Sequence, residues 1–122
     1  MWSNCLFVAL GGGLGAVGRY LLSLIAAPWS FPVMTLLTNF LGAVVIGAVA
    51  QAAGQLPMSK SAVLFLKTGL CGGFTTFSTF SLETVELLEQ GRWAAGGGYI
   101  LASVGLCLAG VLLGRALVWK IV

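Results

Sequence analysis

The sequence contains no histidine and no aspartate, and its only acidic residues are three glutamates, Glu83, Glu86 and Glu89. The sequence shows no pairing of a nucleophile with a base, so an enzyme is not expected. Charge of either sign is scarce. Charged residues make up 7% of the 122 residues and hydrophobic ones 59%, whereas a soluble domain carries about 25% charged residues to cover its surface. So little charge cannot solvate a globule in water, but it suffices where lipid is the solvent. The net charge of +3 comes from six basic residues scattered along the chain. Nucleic-acid binding needs clustered Lys and Arg and is excluded; scattered cations read as topology signals. Cysteine occurs three times, at Cys5, Cys71 and Cys107, an odd number with neither disulfide nor zinc spacing. The first apolar segment lacks a basic leader and carries Arg19 inside it, so it is expected to be retained rather than cleaved as a signal peptide.

What is abundant is apolar sequence in long runs. Four stretches, about 5–27, 33–53, 61–88 and 93–118, each exceed the roughly 20 residues needed to cross a bilayer and together make one transmembrane domain over 1–122. Turn residues punctuate the joins: Pro28-Trp29-Ser30-Phe31-Pro32, then Gly54, Pro57 and Ser59, then Gln90 and Gly91. Trp2, Trp29, Trp93 and Trp119 all fall at span ends, where indole rings favour the headgroup interface. With four spans, Lys60, Lys67, Arg115 and Lys120 fall on one side, and Arg92 and Arg19 on the other. Two of these six lie within helices, so the bias is weak and permits insertion in both orientations. Two opposed copies could then pair as an antiparallel homodimer.

Helices in lipid associate through small residues, and the chain has 18 glycines. Gly11 and Gly15 lead into Arg19 at a spacing of four. Asn39, Ala43, Gly47, Ala50 and Gly54 line one face of the second span, and Gly96, Tyr99, Ser103, Cys107, Gly110 and Gly114 one face of the fourth. Packing accounts for the glycines but not for the polar residues on the same stripes. The third span is the anomaly. Gly69–Ser81 places three Gly and five hydroxyl residues midway along 28 residues, which as one helix would measure about 42 Å. This composition predicts a helix broken at mid-membrane, with the backbone opening at Gly72-Gly73 and its carbonyls facing an ion, water or protein. A kinked helix with hydroxyls bonded to their own backbone is the structural alternative. Phe77 and Phe80 follow the break, and phenyl edges can line an anion path without binding tightly, although paired Phe usually serve packing. The Asn39 amide has an NH2 that could donate to an anion or to another helix.

The order and spacing of Gly11–Tyr20, Thr35–Gly42 and Gly69–Ser81, with the Gly- and Ser-bearing last span, resemble the Fluc (CrcB) family of fluoride channels over nearly the whole chain. The resemblance implies an all-α membrane protein of four helices, a dual-topology antiparallel homodimer, multi-pass in the cell inner (plasma) membrane. It implies a fluoride pathway that includes Asn39, Phe77, Phe80, Ser103, Tyr99 and Thr35, with Arg19 near a vestibule and Glu83 near the pore mouth. It also implies a structural Na+ at the dimer interface, held by backbone carbonyls of Gly72 and Thr75. Two positions depart from the family's pattern: Met34, where a glycine often stands, and Cys107, where a second hydroxyl often continues the polar track.

A passive pore would suffice for such a task. Fluoride enters acidified cells as neutral HF, dissociates in the cytoplasm and leaves down the membrane potential. No ATP-binding motif is present or required. The alternative function is a small four-helix multidrug or cation exporter of dual topology. Proton coupling there requires a carboxylate embedded in the membrane, and the first span has none. A structural subunit without transport would leave the broken helix unexplained.

Overall fold

The computed structural model describes residues 1–25 and 30–121; the expected turn at Pro28-Trp29 and the interfacial Trp29 lie outside them. The described residues are all-helical, in four helical passes. Helix α1 spans Trp2–Ser23 and α2 spans Val33–Gln55. The third pass is composite. Its first part, α3, begins as α-helix at Lys60–Val63, continues as π-helix through Leu64–Cys71 and ends in a short α turn, Gly72–Phe74. After an interruption, α4 covers Phe77–Glu89, and the last pass is α5, Trp93–Ile121. Three helices, α1, α2 and α5, are each long and apolar enough to cross a membrane. At 29 residues, α5 measures about 43 Å, longer than about 30 Å of hydrocarbon. Its ends therefore reach the headgroups, where Trp93, Trp119 and Lys120 stand exposed.

The ends of these helices follow from local chemistry. Ser59 caps α3, its hydroxyl accepting the Ala62 N–H at 3.1 Å. Between α4 and α5, Gly91 adopts φ +74°, Gly91 N–H donates to Leu88 O and Arg92 N–H to Leu87 O, both at 3.0 Å. That bond pattern stops a helix with a left-handed residue, for which glycine carries no steric penalty.

Backbone-to-backbone approach holds the bundle. The closest seams are α2 on α5 and α1 on α3. A Cβ at Gly114 would lie 2.8 Å from the Ala48 nitrogen, and one at Gly73 would lie 2.9 Å from Gly12 Cα. Large apolar side chains remain exposed along α1 and α5, among them Leu10, Leu14, Leu101 and Leu112. Such surfaces belong against lipid or another chain rather than water.

One expectation is corrected. The third pass does not open at Gly72-Gly73, which are helical. It opens at Thr75 (φ −82°, ψ 156°) and Thr76 (φ −148°, ψ 111°). The glycines have another task, since Gly73 lets α1 approach within backbone contact. The β-branched threonine pair takes the extended conformation it favours, and Thr76 Oγ1 accepts the Thr79 N–H at 3.1 Å as the N-cap of α4.

Candidate functional site

The interruption at Thr75-Thr76 leaves main-chain groups without helical partners, and two long side chains meet them. Asn39 on α2 grips Thr76 at both ends. Its Oδ1 accepts the Thr76 N–H at 2.8 Å, and its Nδ2 donates to the Thr76 carbonyl at 3.2 Å. Arg19 on α1 donates from Nε to the Gly73 carbonyl at 3.2 Å, placing a cation at the C-terminal end of α3, where the helix dipole favours one. Both contacts join residues far apart in sequence, so the break is held by its neighbours.

Two other carbonyls at the break lose their usual helical donors. The Thr76 N–H, which would have closed a helical bond onto Gly72 O, is taken by Asn39. The Thr79 N–H, which would have closed onto Thr75 O, is taken by Thr76 Oγ1. Gly72 and Thr75 therefore present neutral hard oxygens, the donor type that suits an alkali cation. Among the described residues, no cluster of His, Cys, Asp or Glu could hold a metal.

A groove of about 400 Å3 runs between α2, α3, α4 and α5. It is lined by Asn39, Thr75, Thr76, Phe77, Phe80 and Ser103, and further along by Cys71, Cys107 and Lys67. The two phenylalanines sit with ring centroids 5.6 Å apart at 50°. Phe77 is 79% exposed, and Phe80 is half-buried. Phe80 rests against Tyr99, with centroids 5.1 Å apart, and Phe31 meets Tyr99 edge-on at 5.4 Å. Tyr99 is fully buried. Its hydroxyl and that of Ser103, one helical turn away on α5, are buried without a hydrogen-bond partner among the described residues. A buried unpaired hydroxyl is costly unless water or a ligand completes it.

The remaining expected residues lie in two smaller cavities. Arg19 and Thr35 line one of about 160 Å3, with Thr38, Thr76 and Thr79. Glu83 lines another of about 260 Å3, with Ser30, Glu86 and Gln90. Thr76 lines both the groove and the Arg19 cavity. Thr35 Oγ1 donates to Glu83 Oε1 at 2.5 Å, tying the two smaller cavities together. In the single chain, then, Asn39, Phe77, Phe80 and Ser103 share one space, Tyr99 backs it, and Arg19, Thr35 and Glu83 stand beyond it. Sequence reasoning missed Thr76, whose residue type ahead of a helical run is one that favours an N-cap. It also left Lys67 as a topology charge.

The family model for "CrcB-like protein, Camphor Resistance (CrcB)" matches residues 6–115. The "Fluoride-specific ion channel FluC" of Ruminiclostridium cellulolyticum is 45% identical over 118 residues, covering 93% of this chain and 91% of its own length. The protein of the same name from Roseiflexus sp. is 48% identical over 115 residues, covering 91% and 93%. That from Shewanella frigidimarina is 47% identical over 122 residues, covering 97% and 98%. A match of this extent, on a helical membrane protein with a broken third pass, is decisive: the chain belongs to the CrcB family.

Proposed function

We propose that this chain forms a passive, fluoride-selective pore that exports cytoplasmic fluoride and confers resistance to it. The observation that carries the reading is the pair of buried, unpartnered hydroxyls on Tyr99 and Ser103 beside the Phe77–Phe80 rings. Donors without acceptors, next to ring edges of positive potential, suit a small desolvated anion. Fluoride is small and a strong hydrogen-bond acceptor, so a narrow path of this kind favours it over chloride. The relatives' shared name agrees. An inside-negative potential drives a monovalent anion outward by about 2.3 kcal/mol per 100 mV, an about fiftyfold gradient at equilibrium, so no coupled energy source is needed.

The functional unit is an antiparallel, dual-topology homodimer in the inner membrane. Phe77 is a large ring left open in the single chain, and a second copy would cover it and close the groove. The scattered basic residues let both orientations insert. Opposed copies bring the freed Gly72 and Thr75 carbonyls of both subunits to a common interface. There they would hold a structural Na+, whose fixed positive charge offsets the carbonyl dipoles.

The exporter reading is disfavoured, because all three carboxylates lie on α4 and none on α1, α2 or α5. A cell stripped of its own fluoride export, grown with fluoride in mildly acidic medium, tests the proposal. This chain should restore growth, and Ser103→Ala should restore it less well. Growth no better than with an empty vector would refute it.

A further inference from the structure

Lys67, the second lysine of the third pass, lies where a purely topological charge has no reason to be. Lys67 belongs to the π-helical part of α3, and the Gly72 N–H donates to its carbonyl, so it stands one π turn before the freed Gly72 carbonyl. Eight residues separate it from the break at Thr75, at most about 12 Å along a helix. With the break at the bilayer centre, a hydrocarbon half-thickness of about 15 Å would put its Cα inside the apolar layer. A cation at that depth is costly unless it reaches water or a counter-charge. Within its own chain no carboxylate lies on its side of the break, since Glu83, Glu86 and Glu89 all lie on α4. Lys67 is exposed in the single chain, and it lines the groove that holds Asn39, Ser103, Phe77 and Phe80. Cys107, one turn along α5 from Ser103, lines the same groove.

We infer that Lys67 is the anion-attracting group at one mouth of the groove, setting how strongly the pathway draws fluoride when fluoride and salt are dilute. The inference rests on the anion-pathway reading of the groove and adds a charged entrance to it. A low-dielectric wall focuses the field of a single ammonium into the cavity it borders and raises the local anion concentration. The effect belongs to entry, so it should vanish at saturation and weaken as salt screens it. A lysine that merely extends along the lipid face to the headgroups would leave conduction untouched.

The test is fluoride efflux from liposomes, read with a fluoride electrode, for wild type, Lys67→Gln, Lys67→Met and Lys67→Arg. Gel filtration establishes that each variant is folded, and two neutral variants guard against one failing to fold. At low ionic strength and sub-saturating fluoride, the neutral variants should lose about three- to tenfold in initial rate. Lys67→Arg should stay within about twofold of wild type. In about 0.5 M potassium isethionate the deficit should shrink below about twofold, and maximal flux should hardly change. Neutral variants that match wild type at every salt and fluoride level would overturn the inference. So would an equal loss in Lys67→Arg that ignores salt, which marks a packing role. A folded wild type that conducts no fluoride overturns the pathway reading instead, and the inference falls with it.

Discussion

Asn39→Ala should loosen the third pass at its break, by an amount the hydrogen bonds set. In the wild type the amide gives Thr76 an acceptor at 2.8 Å and a donor at 3.2 Å. Alanine offers neither, and Thr76 is half-buried. An unsatisfied main-chain group costs about 1–3 kcal/mol. The N–H, with one donor and the shorter bond, should fall at the upper end, and the carbonyl, with two lone pairs and the longer bond, at the lower. Together they predict a loss of about 2–4 kcal/mol. Asn39→Asp separates the two bonds: it keeps an acceptor for the N–H but turns a second oxygen toward the Thr76 carbonyl. It also puts a negative charge beside the proposed fluoride path, so it should conduct less than its stability suggests. The assay is thermal unfolding in detergent, followed by circular dichroism and tryptophan fluorescence, with fluoride efflux measured on the same preparations. If Asn39→Ala melts with the wild type, the amide does not brace the break, and the account of how the helix is held open is wrong.

Within α1, Gly15→Ala should destabilise, because a Cβ there would lie 2.7 Å from the Phe74 nitrogen; overpacking against backbone costs about 1–3 kcal/mol. Gly13→Ala, with nothing within 4 Å, should be neutral or gain up to about 1 kcal/mol of helix propensity, so the same thermal assay should separate two glycines two positions apart. Phe77→Ile and Phe80→Ile keep most volume while removing the ring quadrupole. Both should cut fluoride efflux steeply, and only Phe80→Ile, which loses its contact with Tyr99, should also lower the melting temperature. Reporter fusions at the C-terminus should detect both orientations; a single orientation without an oppositely inserted partner would contradict dual topology.

Much of the molecule could be read from hydropathy alone, because lipid forces every backbone group into helix and leaves few alternatives. Long apolar runs became α1, α2 and α5, and Trp2, Trp93 and Trp119 stand exposed at helix ends. The hydroxyl-rich third pass announced a break but not its place. Glycine is read as flexible in isolation, whereas Gly73 serves close approach to Gly12, a demand visible only once α1 is in position. The break fell at Thr75-Thr76 instead, where Thr76 is of a residue type that favours an N-cap and accepts the Thr79 N–H. The π-helical Leu64–Cys71 has no compositional signature, since it differs from α-helix by one residue per hydrogen-bonded turn. The Asn39 clamp was equally hidden. Its residue type predicted a polar partner, but an amide can serve an anion or a backbone, and only the fold brings Thr76 within 2.8 Å.

Anion selectivity of the purified protein in liposomes tests the central proposal most directly. Vesicles loaded with potassium fluoride or potassium chloride are diluted into an impermeant salt, and a potassium ionophore is added to release the charge build-up. The account predicts rapid fluoride efflux that depends on the protein, with chloride leaving no faster than from empty vesicles. Fluoride release at the protein-free rate, or chloride release as fast as fluoride, would contradict it.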